Sequence, residues 1–281
     1  MRCFVINLDR SRDRLAHVTA EFDRIGVAFE RIAAIDAWQR QDLSQVLMHA
    51  GKMPWRLSGS ETACLLSHRA CWSKLAAGDD AYGAIFEDDV VFAAKAGPLL
   101  ADGSWIPANA EIVKLETFLH RTKVGLRSVA AGHGFSASRL HAVHIGSAGY
   151  IVSKQAAGAL LSATEKIDVP VDHVLFNPAV EPVASKVVYQ LRPALCVQEE
   201  VIARETARFP SLLSQDREEH RVLNGLRNPE LSTLDRIKRE FGRVFRQVAD
   251  LCRLRRSLIV PFEQQSRRVR APHTQRRENA L

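Results

Sequence analysis

The chain has 281 residues, 46% hydrophobic and 25% charged, the balance of a soluble α/β domain with room for an appended tail. That composition excludes a wholly disordered chain. Five cysteines (Cys3, Cys64, Cys71, Cys196, Cys252), odd in number and without a C-x-x-C pair, exclude a disulfide framework and a zinc ribbon and predict reduced thiols in a cytosolic compartment. No run of 18 apolar residues predicts a membrane span, and Asp9 and Arg10 break the apolar start too early for a secretory signal.

The net charge of +7 is unevenly placed. Residues 214–281 hold 16 Lys and Arg against 9 Asp and Glu, whereas residues 1–213 hold 23 of each. A neutral body at 1–213 thus carries a basic tail at 214–281, which seeks phosphate-rich partners. Few aromatics and a neutral body argue against nucleic acid as the main partner.

In chain order, Arg2 to Leu8 reads as a strand. Leu15, Val18, Phe22 and Ile25 then keep helical spacing up to Gly26, and residues 27–32 read as a second strand. Strand, helix and strand within about thirty residues make a βαβ unit and predict a mostly parallel central sheet. Ser58-Gly59-Ser60-Glu61 has capping-box spacing and opens a helix that ends at Gly78. The short strand 83–86 runs into Glu87-Asp88-Asp89, and 111–116 is another strand. Residues 120–138 read as a polar loop, 146–152 as a glycine turn entering a strand, 154–163 as a helix and 187–197 as a strand. From Leu234 to Cys252 an apolar stripe at helical spacing, flanked by eight Lys and Arg over 236–256, reads as a basic amphipathic helix.

Four places could carry chemistry. Glu87-Asp88-Asp89 is a solvated acidic turn or a hard-oxygen site for Mg²⁺ or Mn²⁺, with alternation putting Glu87 and Asp89 on one side and Asp88 on the other. The segment 7–14, with Asn7, Leu8, Arg10 and Arg14, is an exposed helix start or a pyrophosphate site at a helix N-terminus. His68 beside Ser67 is a hydrogen-bonded core residue or a ligand, and Asp172-His173 supplies an acid, a base, a metal ligand or a helix N-cap. Walker, G-x-G-x-x-G, H-E-x-x-H and G-x-S-x-G motifs are absent.

Seven ordered blocks add a resemblance: FVINLDRSRDR (4–14), LSGSETACLLSHRACW (57–72), AIFEDDV (84–90), VKLET (113–117), GSAGYIVSKQAA (146–157), PVDHVLF (170–176) and LRPALCVQE (191–199). Together they resemble glycosyltransferase family 25, the bacterial lipooligosaccharide galactosyltransferases. The resemblance implies a GT-A-like nucleotide-sugar-binding domain, a UDP-galactose donor, inversion at the anomeric carbon and a β-1,4 linkage to a lipid-linked oligosaccharide. It implies Mn²⁺ or Mg²⁺ on Asp89 and Glu87, donor contacts from Asn7, Leu8, Arg10, Arg14, Ser67, His68 and Asp88, and a base at Asp172 or Glu116, with Asp172 preferred. A UDP-glucose or UDP-N-acetylhexosamine enzyme and a catalytically silent sugar-binding protein are the competing readings. A lipid-anchored acceptor, with the basic tail, implies residence on the cytoplasmic face of an anionic membrane.

Overall fold

The computed structural model describes residues 1–40, 42–43, 57–166, 169–180, 186–203, 206–209 and 253–262. The first unit is the expected one. β1 (Arg2–Asn7) leads into α1 (Arg12–Ile25), and Gly26 closes that helix in the left-handed conformation; β2 (Glu30–Ala33) then pairs parallel to β1. β1 is buried on both faces. Its alternation divides the core: Cys3 and Val5 pack with Val18 and Phe22 of α1, while Phe4 and Ile6 face the other layer.

That other layer is led by α2 (Gly59–Ala77), with its capping box at Ser58 and Glu61 intact. Leu65, Trp72 and Leu75 bury one side of α2 against the sheet. β3 (Tyr82–Glu87) lies parallel to β1, and a turn at Asp88-Asp89 separates it from β4 (Val90–Phe92). α3 (Ala96–Ala101) and β5 (Ile112–Lys114) follow. β6 (Arg121–Gly132) and β7 (Phe135–Leu140) pair antiparallel, so the segment expected to be a loop is a hairpin. Its turn, Gly132-His133-Gly134, runs at positive φ throughout, which two glycines make inexpensive.

β8 (Gly149–Ser153), α4 (Lys154–Ala163), α5 (Val171–Phe176), β9 (Val188–Arg192), β10 (Cys196–Gln198) and α6 (Glu199–Ala203) complete the body. Pro170 caps α5, so Asp172 sits inside the first turn and is not the N-cap.

With β11 (Arg255–Ile259) at one edge, the sheet order is β11-β6-β7-β9-β5-β8-β3-β1-β2, and β4 pairs with β10 beside it. Six of the nine strands run one way, while β8, β7 and β11 run against them. The fold is therefore mixed α/β. Its parallel ladders are β1 with β2, β1 with β3, and β5 with β9, and antiparallel ladders, of which β6–β7 is a hairpin, supply the remainder.

β11 (Arg255–Ile259) corrects the reading of the tail. It lies antiparallel to β6 at the sheet edge, and Val260 and Phe262 are buried beyond it. Residues 253–262 thus belong to the body and are not helical. The amphipathic stripe at 234–252 and the remainder of the tail lie outside the described residues. No helix among the described residues is long and apolar enough to cross a membrane.

Candidate active site

β1, β3 and β5 run in one direction, so Asn7, Glu87 and the residues after Lys114 emerge at a single end of the sheet. Ligands of open α/β sheets collect at such carboxyl ends. β8 runs the opposite way, and the loop entering it returns Gly146 and Ser147 to the same end.

The acidic triplet is built around Arg14. Its guanidinium donates to Asp88 Oδ1 at 2.8 Å and to Asp89 Oδ2 at 3.2 Å. Asn7 Nδ2 donates to Asp88 Oδ2 at 2.7 Å and to the Ser11 carbonyl at 3.0 Å. Gln198 Nε2 closes the other side of Asp89 at 3.2 Å. The expected alternation therefore fails: Asp88 and Asp89 both turn to Arg14, because they form a turn and not extended strand. Glu87 alone faces the opposite way, accepting from Ser147 Oγ at 2.8 Å.

Burial pushes Asp89 up to about 7, and the neighbouring Glu87 and Asp88 charges add to that rise against the opposing pull of Arg14. Asp88 is raised by burial as well, although Arg14 and Asn7 oppose it. Burial also works against a charged Glu87, but His68, Ser147 and Arg14 outweigh it and hold that carboxylate below its usual range. Arg14 is raised: burial disfavours its charge, yet Asp89 and Asp88 more than compensate.

His68 is fully buried at the end of a relay. Trp72 Nε1 donates to the Tyr150 hydroxyl at 2.8 Å, and that hydroxyl lies 2.9 Å from His68 Nδ1. His68 Nε2, buried without a hydrogen-bond partner, lies 3.6 Å from Glu87 Oε1. Cys64, His68 and Glu87 bring potential ligand atoms within 4.8 Å of one another.

One cavity is lined by Leu8, Arg10, Arg14, Ser67, His68, Glu87, Asp88 and Asp89, which brings together every expected donor-side residue except Asn7. Asn7 is a strut beneath it, spent on Asp88, Ser11 and Arg31. The Ser67 hydroxyl is likewise spent, donating to the Ala63 carbonyl and accepting from the Ile35 N–H, which pins the 34–38 loop to α2. At the rim, Arg10 lies 4.5 Å from the Trp38 ring centroid and donates to Asp36 at 2.7 Å, while Trp38 is 78% exposed.

A second cavity holds Asp172 with Gly146, Ser147, Phe118 and Pro170, and shares Cys64, Glu87 and Gln198 with the first. Asp172 accepts from the Gly146 N–H at 3.2 Å and from its neighbour His173 N–H at 2.9 Å. Gly146-Ser147 thus bridges Asp172 to Glu87. Beneath the bridge, fully buried Lys114 donates to Glu116 Oε1 at 2.7 Å and to the Gly146 carbonyl at 2.5 Å. Burial pushes Glu116 up to about 7 despite Lys114. Glu116 has no exposure and lines neither cavity, so the two expected bases are separated: Asp172 faces open space, and Glu116 supports the loop.

The sequence reading missed Gln198, Cys64, Trp38 and Lys114. Cys64, Lys114 and Gln198 lie inside the blocks that carry the resemblance, and Trp38 is a lone tryptophan in a polar stretch.

The family model described as glycosyltransferase family 25 (LPS biosynthesis protein) matches residues 1–175. This chain belongs to glycosyltransferase family 25. It is 30% identical over 277 residues to the lacto-N-neotetraose biosynthesis glycosyltransferase LgtB of Neisseria meningitidis serogroup B, covering 94% of this chain and 100% of that one. LgtE of Neisseria gonorrhoeae is 30% identical, covering 88% of this chain and 91% of its own. The lipooligosaccharide biosynthesis protein lic2B of Haemophilus influenzae is 28% identical, covering 77% and 83%. In this family-25 chain the 1–175 match takes in α1, the acidic triplet, the Gly146-Ser147 bridge and Asp172, and ends before Gln198.

Proposed function

We propose that this family-25 chain is an inverting glycosyltransferase on a GT-A-like plan. It moves galactose from UDP-galactose to a sugar hydroxyl of a lipooligosaccharide acceptor through a β-1,4 linkage. The observation carrying this reading is the meeting of two cavities at Glu87 and Gln198, with the acidic triplet in one and Asp172 in the other.

The donor occupies the first cavity. Arg10 and Trp38 at its rim hold the nucleotide, with the exposed indole offering a face for the base and the guanidinium a partner for phosphate. Arg14 stays on Asp88 and Asp89 and keeps their carboxylates oriented.

Glu87, Asp88 and Asp89 outnumber the one arginine among them, and Asp89 is raised chiefly by burial, with the Glu87 and Asp88 charges adding to the rise. Carboxylate oxygens are the ligands a divalent cation prefers, and Asp89 and Glu87 would hold it once Glu87 turns from Ser147 towards Asp89. When bound, Mn²⁺ or Mg²⁺ neutralises charge developing on the departing diphosphate. Ser147 holds Glu87 through its hydroxyl, and His68 Nε2 faces the same carboxylate oxygen from 3.6 Å.

The acceptor enters the second cavity, where Asp172 removes the proton from the attacking hydroxyl on the face opposite the leaving group. The two N–H bonds to Asp172 fix its orientation and leave lone pairs for that proton.

A screen of UDP-galactose, UDP-glucose and UDP-N-acetylhexosamines tests the proposal, reading hydrolysis without acceptor and transfer with a lactosyl or glucosyl acceptor, each with Mn²⁺ or EDTA. Mn²⁺-dependent turnover of UDP-galactose supports it. Preference for another UDP-sugar replaces the donor assignment, EDTA-insensitive turnover removes the metal, and inactivity with every donor and acceptor favours a silent sugar-binding protein.

A further inference from the structure

Away from the two cavities, a third of about 310 Å³ opens between the end of β7, the start of β9, the end of α5 and β11. Its charged lining is Arg139, Lys186 and Arg255, with His141 beside them and Leu140, Phe176, Pro178 and Val188 as apolar wall. No carboxylate lines it. Among the described residues neither Arg139 nor Arg255 has an ion pair, and Arg255 Nε is buried without a hydrogen-bond partner. Lys186 reaches only Glu111, at 3.9 Å.

The strand pairing explains the convergence. Arg255 pairs with Gly125 of β6, and a Cβ built on Gly125 would stand 3.6 Å from both Arg139 Cβ and His141 Nε2. The missing side chain at Gly125 clears the ground on which β11 and β7 bring their arginines to one face. Cations gathered beside an apolar wall, with Glu111 at 3.9 Å from Lys186 and no carboxylate on Arg139 or Arg255 among the described residues, repel one another and focus a positive field into the space between them. Guanidinium forks match the oxygens of phosphate.

We propose that this cavity is a phosphate-binding site, separate from the donor cavity. Binding as such does not depend on the transfer reaction. Two sources share the chemistry: free inorganic phosphate, or the phosphate of an anionic lipid headgroup such as a lipid-anchored acceptor carries. The second source rests on the proposed function. It is consistent with α5, whose first turn holds Asp172 in the acceptor cavity and whose last residue, Phe176, walls the third cavity about one helical turn away.

The experiment uses the full chain at matched ionic strength. One arm reads the thermal midpoint with inorganic phosphate against chloride. The other reads sedimentation with phosphatidylcholine vesicles with and without phosphatidic acid. The variants are Arg139→Gln/Arg255→Gln and Gly125→Asp, the latter placing a carboxylate beside Arg139 and Arg255. Phosphate raises the midpoint of the wild type by several degrees, or phosphatidic acid increases sedimentation severalfold in a chain whose Arg236, Lys238, Arg239, Arg243 and Arg246 are replaced by glutamine, and both variants lose that response. Loss in the first arm identifies free phosphate as the source, and loss in the second a headgroup. Gly125→Asp also raises the midpoint in chloride, because it supplies the missing counter-charge, so a folding defect in the double variant does not decide the outcome. Responses that persist unchanged in both variants, or no response in either arm, overturn the site.

Discussion

Asp89 is costly where it stands. A carboxylate pushed up to about 7 by burial, with Glu87 and Asp88 adding to the rise, is held charged at the expense of folding. Asp89→Asn removes that cost while Asp88 keeps Arg14 at 2.8 Å. The variant is expected to lose transfer and yet, without divalent cation at pH 8, to melt at the wild-type temperature or above it. Near-normal turnover would remove Asp89 from the metal. Glu116 shares the electrostatic pattern with a different role. Its folded-state pKa of about 7 stands above the ordinary 4.5, so folding takes up a proton between those values. The resulting stabilisation is complete below about pH 4.5 and is lost by about pH 7. Urea midpoints should therefore fall as pH rises across that window, and Glu116→Gln should flatten the fall even if it lowers stability overall by leaving Lys114 without its carboxylate. Equal slopes would show that Glu116 does not titrate there. For the base, Asp172→Asn is expected to lower kcat by roughly a hundredfold or more with UDP affinity unchanged, the usual scale for losing a general base. A crippled Glu116→Gln beside an active Asp172→Asn would exchange the two roles.

Among the elements, the Gly146-Ser147 loop couples the parts of the site most directly. Gly146 has φ +92°, and a Cβ there would lie 2.5 Å from Glu116 Oε1 and 2.4 Å from the Phe118 ring. Gly146→Ala therefore meets both backbone strain and a collision with a fully buried ion pair, a cost of about 1–3 kcal/mol for the backbone alone. Because Gly146 donates to Asp172 and Ser147 to Glu87, kcat should fall further than UDP binding, as read by turnover beside equilibrium titration. A proportional loss of both would mean that the loop only supports the fold. Elements with strong local signals were legible: α2 carried its capping box, α1 its Gly26 cap, and β1 its apolar run. The β6–β7 hairpin was not, because exposed Arg127 and Ser128 lie in a stretch of β6 that faces solvent without the alternation that marks a half-buried strand. The Lys114–Glu116 pair was equally hidden, since nothing local distinguishes a buried ion pair from two charges on an exposed strand.

At the scale of the whole molecule, the tail is where local pattern and tertiary structure part. Residues 253–262 continue the basic composition of the stretch before them, and their place in the sheet comes from pairing with β6, more than a hundred residues earlier. Long-range pairing of that kind leaves no local signature. It also changes how membrane association must be tested. Cutting the chain after residue 231 would remove β11 together with Val260 and Phe262, which are 0% and 1% exposed, and would strip the sheet edge along with any lipid contact. Charge substitution avoids this. Arg236, Lys238, Arg239, Arg243 and Arg246 precede β11, and each basic residue near an anionic surface contributes about 1 kcal/mol to binding. Replacing all five by glutamine should leave the thermal midpoint and the UDP-sugar turnover intact. The same change should cut sedimentation with phosphatidylglycerol vesicles by at least an order of magnitude, and wild-type binding should weaken steeply as salt rises. Equal binding to phosphatidylcholine vesicles, or no change on substitution, would mean that the apolar stripe at 234–252 packs against protein and that the acceptor is reached without a basic anchor.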